Sequence, residues 1–171
     1  MARTRLLLLL LLLLLLLLRK TKSSSTMERR VRHLNVSEES ELDSLLIAGL
    51  ELLPIQKQNA ERFVLLAVHL ILEAIRMGES LSREISHDDF CAQIGVVYGE
   101  QLCMLLHWDW VYLTLEDAYE GAAVMNPERT MALFPIPTIH RWTQHQNANR
   151  CLVLFEEVES LSEQKEFLVL H

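Results

Sequence analysis

At Trp108 the apolar residues of this chain change their spacing, and that change limits the folds open to it. Upstream they recur three and four apart, as on the buried face of an amphipathic helix. From Trp108 to Leu115 the run Trp-Asp-Trp-Val-Tyr-Leu-Thr-Leu is rich in aromatic and β-branched residues and alternates as a half-buried strand does. Two more short strands are predicted over 121–125 and 130–134, with Asn126-Pro127-Glu128-Arg129 as the turn between them. Tight connections of this kind make an antiparallel meander. Past it, Pro135 and Pro137 close the sheet and Pro137 suits the first turn of a short helix reaching Gln146. The predicted fold class is therefore α+β: N-terminal helices packed on a small antiparallel meander, followed by short C-terminal helices, and not a βαβ fold.

The helices can be placed from their apolar spacing and end signals. Ser37 and Ser40 precede Leu42, Leu45, Leu46, Gly49, Leu50 and Leu53, with Glu38, Glu39, Glu41 and Asp43 in the first turn, so an N-capped helix is predicted there. Pro54 interrupts it, and a longer helical pattern runs over 55–77 to Gly78 as the residue after its end. Ser86, with Asp89 three positions on, predicts the start of a third helix that reaches about His107. In that helix Gly95 and Gly99 leave a strip without side chains. Two glycines cost about 1 kcal/mol each against alanine in a helix, so close packing on the strip is predicted. The segment 149–161 reads as a last helix, and the residues after Ser162 as a loosely held tail.

Composition divides the chain sharply. Leu6 and Leu18 bound thirteen consecutive leucines, flanked by Arg3, Arg5, Arg19, Lys20 and Lys22 and by no acid before Met27. The rest of the chain holds eleven basic residues against all 23 acidic ones, so its balance is −12 where the whole chain reads −7. The domain reading is a low-complexity or targeting and anchor segment over 1–26, one α+β domain over 27–162 and a flexible tail over 163–171. The basic start and apolar run meet two parts of a secretory signal, but no small-x-small cleavage site follows. Thirteen residues at about 1.5 Å each also reach only ~20 Å, against a hydrocarbon core of ~30 Å. If Met27 is the working start, the expected location is the cytoplasm; the alternative is a membrane anchor through Leu6 to Leu18. Cys91, Cys103 and Cys151 are too few and too dispersed for a disulfide framework and read as buried thiols.

Few residues carry recognisable chemistry. The nucleotide and hydrolase signatures built on Gly-x-Gly-x-x-Gly, Gly-x-x-x-x-Gly-Lys, His-Glu-x-x-His and Gly-x-Ser-x-Gly are all missing, and the chain has only five glycines. His87 and Cys91, like Cys103 and His107, are four apart and share a helix side. Neither pair has a Cys-x-x-Cys partner or a third ligand at supporting spacing. Cys103 and His107 also have nucleophile-and-base spacing, without an orienting acid. His140 and His145 diverge by about 140° on a short helix and are expected at the surface. No catalytic residue, metal or cofactor is therefore assigned. Glu100, in a helix that should be mostly covered, is either a general acid or base or, more simply, a carboxylate bonded into the sheet or to an arginine. Trp108, Trp110, Tyr112 and Trp142 are candidates for a pocket or an interface, or else core; alternation puts the first three on one face, and Trp142 is expected to be the most exposed.

From Asp89 to Phe134 the order of features resembles a bacterial family of small domains of unknown function. The features are a helix with Tyr98-Gly99-Glu100, a strand with Trp108-Asp109-Trp110, and a sheet exit at Phe134-Pro135. The resemblance covers about a quarter of the chain. It implies a helix-to-sheet contact at Tyr98-Gly99-Glu100, no catalytic residues, and a likeness to acidic immunity proteins of toxin systems. The leucine run lies outside it.

The charge balance argues against nucleic acid as a partner, because phosphate contacts need clustered Lys and Arg. It favours a basic protein, steered by acids at Glu38 to Asp43 and at Glu156, Glu157, Glu159, Glu163 and Glu166. A membrane is a partner only if the leucine run inserts. The function expected is a non-enzymatic interaction domain, immunity- or adaptor-like, binding a basic partner through an acidic surface. The alternative is a small ligand-binding protein or an enzyme using Glu100 near the Trp-rich strand. Candidate interaction or pocket residues are Glu100, Trp108, Trp110, Trp142, Glu156 and Glu157.

Overall fold

The computed structural model describes residues 29–53, 60–79, 84–115, 119–144, 150–161 and 167–170. In chain order the elements are β1 (Arg29–Arg32), α1 (Val36–Leu52), α2 (Ala60–Arg76), α3 (His87–Leu106), β2 (Asp109–Leu115), β3 (Tyr119–Met125), β4 (Met131–Leu133), α4 (Pro135–Gln144), α5 (Cys151–Ser160) and β5 (Leu168–Leu170). The α+β class holds, with the meander β2–β3–β4 in the middle of the chain and helices on both sides of it. The leucine run and His145 lie outside the described residues, as do Pro54 and 55–59. Among the described residues, no helix is long and apolar enough to cross a membrane.

The sheet is larger than the meander and is mixed, in the order β1-β2-β3-β4-β5. β1 pairs antiparallel with β2, Arg32 opposite Tyr112. At the other edge β5 runs parallel to β4, with Leu168 opposite Met131. Leu168–Leu170 thus belongs to the sheet and not to a loose tail. The parallel pair is reached through a crossover carrying α4 and α5, since parallel neighbours cannot be joined by a hairpin.

Alternation along the strands gives the sheet two apolar faces. Trp110, Val124, Met131, Leu133, Leu168 and Leu170 face the helices. Val111, Leu113, Ala123, Met125 and Ala132 point the other way, packed with Val31, Phe134 and Val169. Across this second face the Arg29 guanidinium of one edge lies 4.1 Å from the Phe167 ring centre beside the other edge. Four inter-strand steps of about 4.8 Å would hold flat edges ~19 Å apart, so the sheet coils around this smaller cluster.

α3 is the centre of the helical layer: α1, α2, α4 and the sheet all pack on it. Its glycine strip is used as its cost in helix propensity demands. A Cβ on Gly95 would stand 2.7 Å from the Ile136 Cα in α4, and one on Gly99 would collide with the Trp110 ring and Pro135. α1 makes the same kind of approach, where a Cβ on Gly49 would meet the Gln93 carbonyl oxygen at 2.5 Å. Tyr98 is fully buried; its hydroxyl donates to the Cys151 carbonyl at 3.2 Å, and its ring meets Trp142 edge-on at 5.5 Å.

The helix ends follow local chemistry. Ser86 Oγ accepts from the Asp89 N–H at 3.1 Å. Gly78, at φ 83°, ends α2, with the Glu79 N–H on the Ala74 carbonyl and its own N–H on Ile75. α1 departs from expectation: its N-cap is Asn35, not Ser37 or Ser40. Asn35 Oδ1 accepts from the Ser37 and Glu38 N–H groups at 3.0 Å each, and the Glu38 carboxylate accepts from the Asn35 N–H at 2.8 Å. That reciprocal pair is a capping box, which leaves both serines outside the cap.

Candidate functional site

The first turns of α1 are fastened to the sheet by a chain of polar contacts. Arg32 on β1 holds both oxygens of Glu38, at 2.7 and 2.6 Å, while its guanidinium lies 3.7 Å from the centre of the Tyr112 ring on β2. The Tyr112 hydroxyl in turn donates to Glu120 on β3 at 2.9 Å. The Arg32 guanidinium beside Glu38 and the Asn35 N–H hold the Glu38 carboxyl down at about 2.

This anchoring brings Glu39 and Asp43, one helical turn apart on α1, to the mouth of a cleft against α3 and β2. The cleft is about 220 Å³ and also contains Glu100 and Trp110. Its apolar wall is formed by Leu34, Leu42, Leu46 and Val96. Among the described residues, the lining thus has three carboxyl groups, one indole and no basic residue. Glu100 is half-buried, and its Oε2 accepts from Trp110 Nε1 at 3.2 Å. That bond is the helix-to-sheet contact: the Glu100 carboxylate bonds into the sheet, as expected, through the indole of Trp110 on β2 and not to an arginine.

Of the six candidate residues, Glu100 and Trp110 come together. Trp108 and Trp142 are each 5% exposed and belong to the core. Trp142 is therefore corrected from the most exposed tryptophan to a buried one: its helix turns it onto Tyr98 and not toward solvent. Glu156 is exposed on α5, and Glu157 pairs with Arg150 at 2.6 Å. Neither lines the cleft. Glu39 and Asp43, expected only as first-turn acids of α1 and as part of a charge run, complete the candidate site. Their four-residue spacing with Leu42 and Leu46 was the signal that a carboxylate pair and an apolar pair share adjacent stripes of one helix.

The cysteine and histidine pairs separate in the same way. Burial, reinforced by Glu100 and Asp109, pushes the Cys103 thiol up to about 12, so it is not a thiolate at neutral pH. His107 leaves α3 in the left-handed conformation at φ 57°. His87 and Cys91 do share a helix side, with Sγ 3.7 Å from Nε2 and 3.9 Å from Nδ1. His140, expected at the surface, joins them from α4, its ring centre 4.8 Å from that of His87. These three are the described residues whose donor atoms group closely enough to hold a metal ion. His140 Nε2 donates to Asp88 Oδ1 at 3.0 Å, which holds the Asp88 carboxyl below its ordinary range.

No protein-family model, curated protein or solved structure matches the chain.

Proposed function

We propose that this chain is a non-enzymatic interaction domain, of the immunity or adaptor type, that receives a Lys or Arg side chain of a basic protein in the cleft between α1, α3 and β2. The observation that carries this reading is the lining itself, in which Glu39, Asp43 and Glu100 share the cleft with Trp110 and no basic residue stands among its described residues. A guanidinium or ammonium entering there meets opposite charge, an aromatic ring and an apolar wall for its methylene stem. Arg32, one of the three arginines of β1, is committed to Glu38. The acidic body, at −12, would draw such a partner in by long-range attraction. The alternative, catalysis by Glu100, has less in its favour because that carboxylate accepts the Trp110 indole N–H.

Calorimetric titration with a short arginine- and lysine-bearing peptide tests the proposal. Glu39→Gln with Asp43→Asn should weaken binding about tenfold or more, given ~1.5–3 kcal/mol for a hydrogen bond to a charged group. Equal affinity of the double variant and the native chain would refute the cleft as the site.

A further inference from the structure

We propose that His87, Cys91 and His140 form a three-ligand site for a zinc-type divalent metal ion, open to solvent at its fourth position. None of the three lines the acidic cleft, so this inference is independent of the partner reading. The donors come from two helices that the glycine strip packs tightly: His87 and Cys91 one turn apart on α3, His140 on α4. One donor atom of each lies within 4.8 Å of the other two.

The outer partners fix which ring nitrogens are free. The Thr143 hydroxyl gives its hydrogen to the Ile139 and His140 carbonyls, so its oxygen, 3.0 Å from His87 Nε2, accepts from that nitrogen. Asp88 accepts from His140 Nε2. With Nε2 of each ring donating, Nδ1 is left as the lone-pair nitrogen of the neutral imidazole; Thr143 Oγ also lies 3.5 Å from Cys91 Sγ and Asp88 Oδ1 3.9 Å from His87 Nδ1, so both oxygens border the site.

The spacing of His87 and Cys91 also suits the ion. Zinc bonds of about 2.3 Å to sulfur and ~2.0 Å to nitrogen, at the tetrahedral angle, place the two donors roughly 3.5 Å apart. His87 Nδ1 is 3.9 Å from Cys91 Sγ, so a shift of a few tenths of an ångström closes the edge. A set of one thiolate and two imidazoles selects zinc, cobalt or copper over magnesium or calcium. The buried thiol forms the inner wall, while the His87 and Asp88 side chains, 44% and 88% exposed, give an ion its way in. Binding displaces the Cys91 proton to solvent, leaving the thiolate on the metal.

The test is titration of the metal-free full chain with Co²⁺, followed by competition with Zn²⁺. One equivalent of cobalt should bind with tetrahedral visible absorption and a thiolate-to-cobalt band in the near ultraviolet. His140→Asn should abolish the tetrahedral spectrum. Asp88→Asn, at an exposed position, should weaken affinity about 10–100-fold while keeping the thiolate band. Cys103→Ser should change nothing, and Cys91→Ser should remove the band. If Cys91→Ser does not fold, the His140 and Asp88 variants decide the matter. The proposal falls if cobalt does not bind, if it binds without the thiolate band, if that band is lost in Cys103→Ser, or if His140→Asn leaves the spectrum and affinity unchanged.

Discussion

Gly95 shows how far one residue can carry the argument. Two glycines in a helix that gains nothing from them mark a close approach, and that much is legible in the sequence. The identity of the neighbour is not, because it arrives from Ile136, more than forty residues along. Gly95→Ala gains about 1 kcal/mol of helix propensity and loses ~1–3 kcal/mol to overpacking, because the obstructing atoms are backbone and cannot swing away. A lower urea midpoint with an unchanged slope is the expected result; a raised midpoint would mean that α4 can retreat freely. The tryptophans teach the same lesson. Alternation separates Trp110 from its strand neighbours, but nothing local distinguishes the buried Trp142 from an exposed one, since its burial depends on Tyr98 in another helix. His140 likewise becomes a candidate ligand only when two helices meet.

Element by element, what the sequence reveals follows how local the stabilising contacts are. α3 and the end of α2 carry their own caps and were placed within a residue or two. α1 is capped by Asn35, ahead of both Ser37 and Ser40, because Asn-x-x-Glu is itself a capping-box pattern. β1, with the sequence Arg-Arg-Val-Arg, has one apolar residue and shows no alternation; it exists because the edge of β2 offers it backbone partners. β5 is three residues long and depends on a parallel neighbour across two helices, which no local pattern announces. The cap of α1 predicts a pH dependence. Glu38 has a folded-state pKa of about 2, below its ordinary 4.5. Its contribution to stability is therefore full above the higher value and is lost as pH falls toward the lower one. Melting temperatures of the native chain and of Glu38→Gln should differ at pH 6 and converge by about pH 2. A difference that persists undiminished at the acid end would show that the carboxylate does not hold the helix start.

At the scale of the whole molecule, composition alone separates a basic leucine-bearing N-terminus from an acidic body, and the proposed partner is argued from the body. What charge counting cannot do is distinguish a solvated helix face from a recognition site. The proposed recognition rests instead on the cleft, where the polar chain Glu38–Arg32–Tyr112–Glu120 sets α1 against the sheet and Glu39 and Asp43 line one cleft with Glu100. The chain holds three tryptophans, two of them buried in the core and one in the cleft. This makes their indole N–H resonances a built-in set of reporters. In a titration of the isotope-labelled full chain with the cationic peptide, the account predicts that the Trp110 signal shifts and saturates while those of Trp108 and Trp142 stay in place, and that the shift fades as salt screens the acids. A Trp110 signal that stays fixed while the peptide is bound would contradict it.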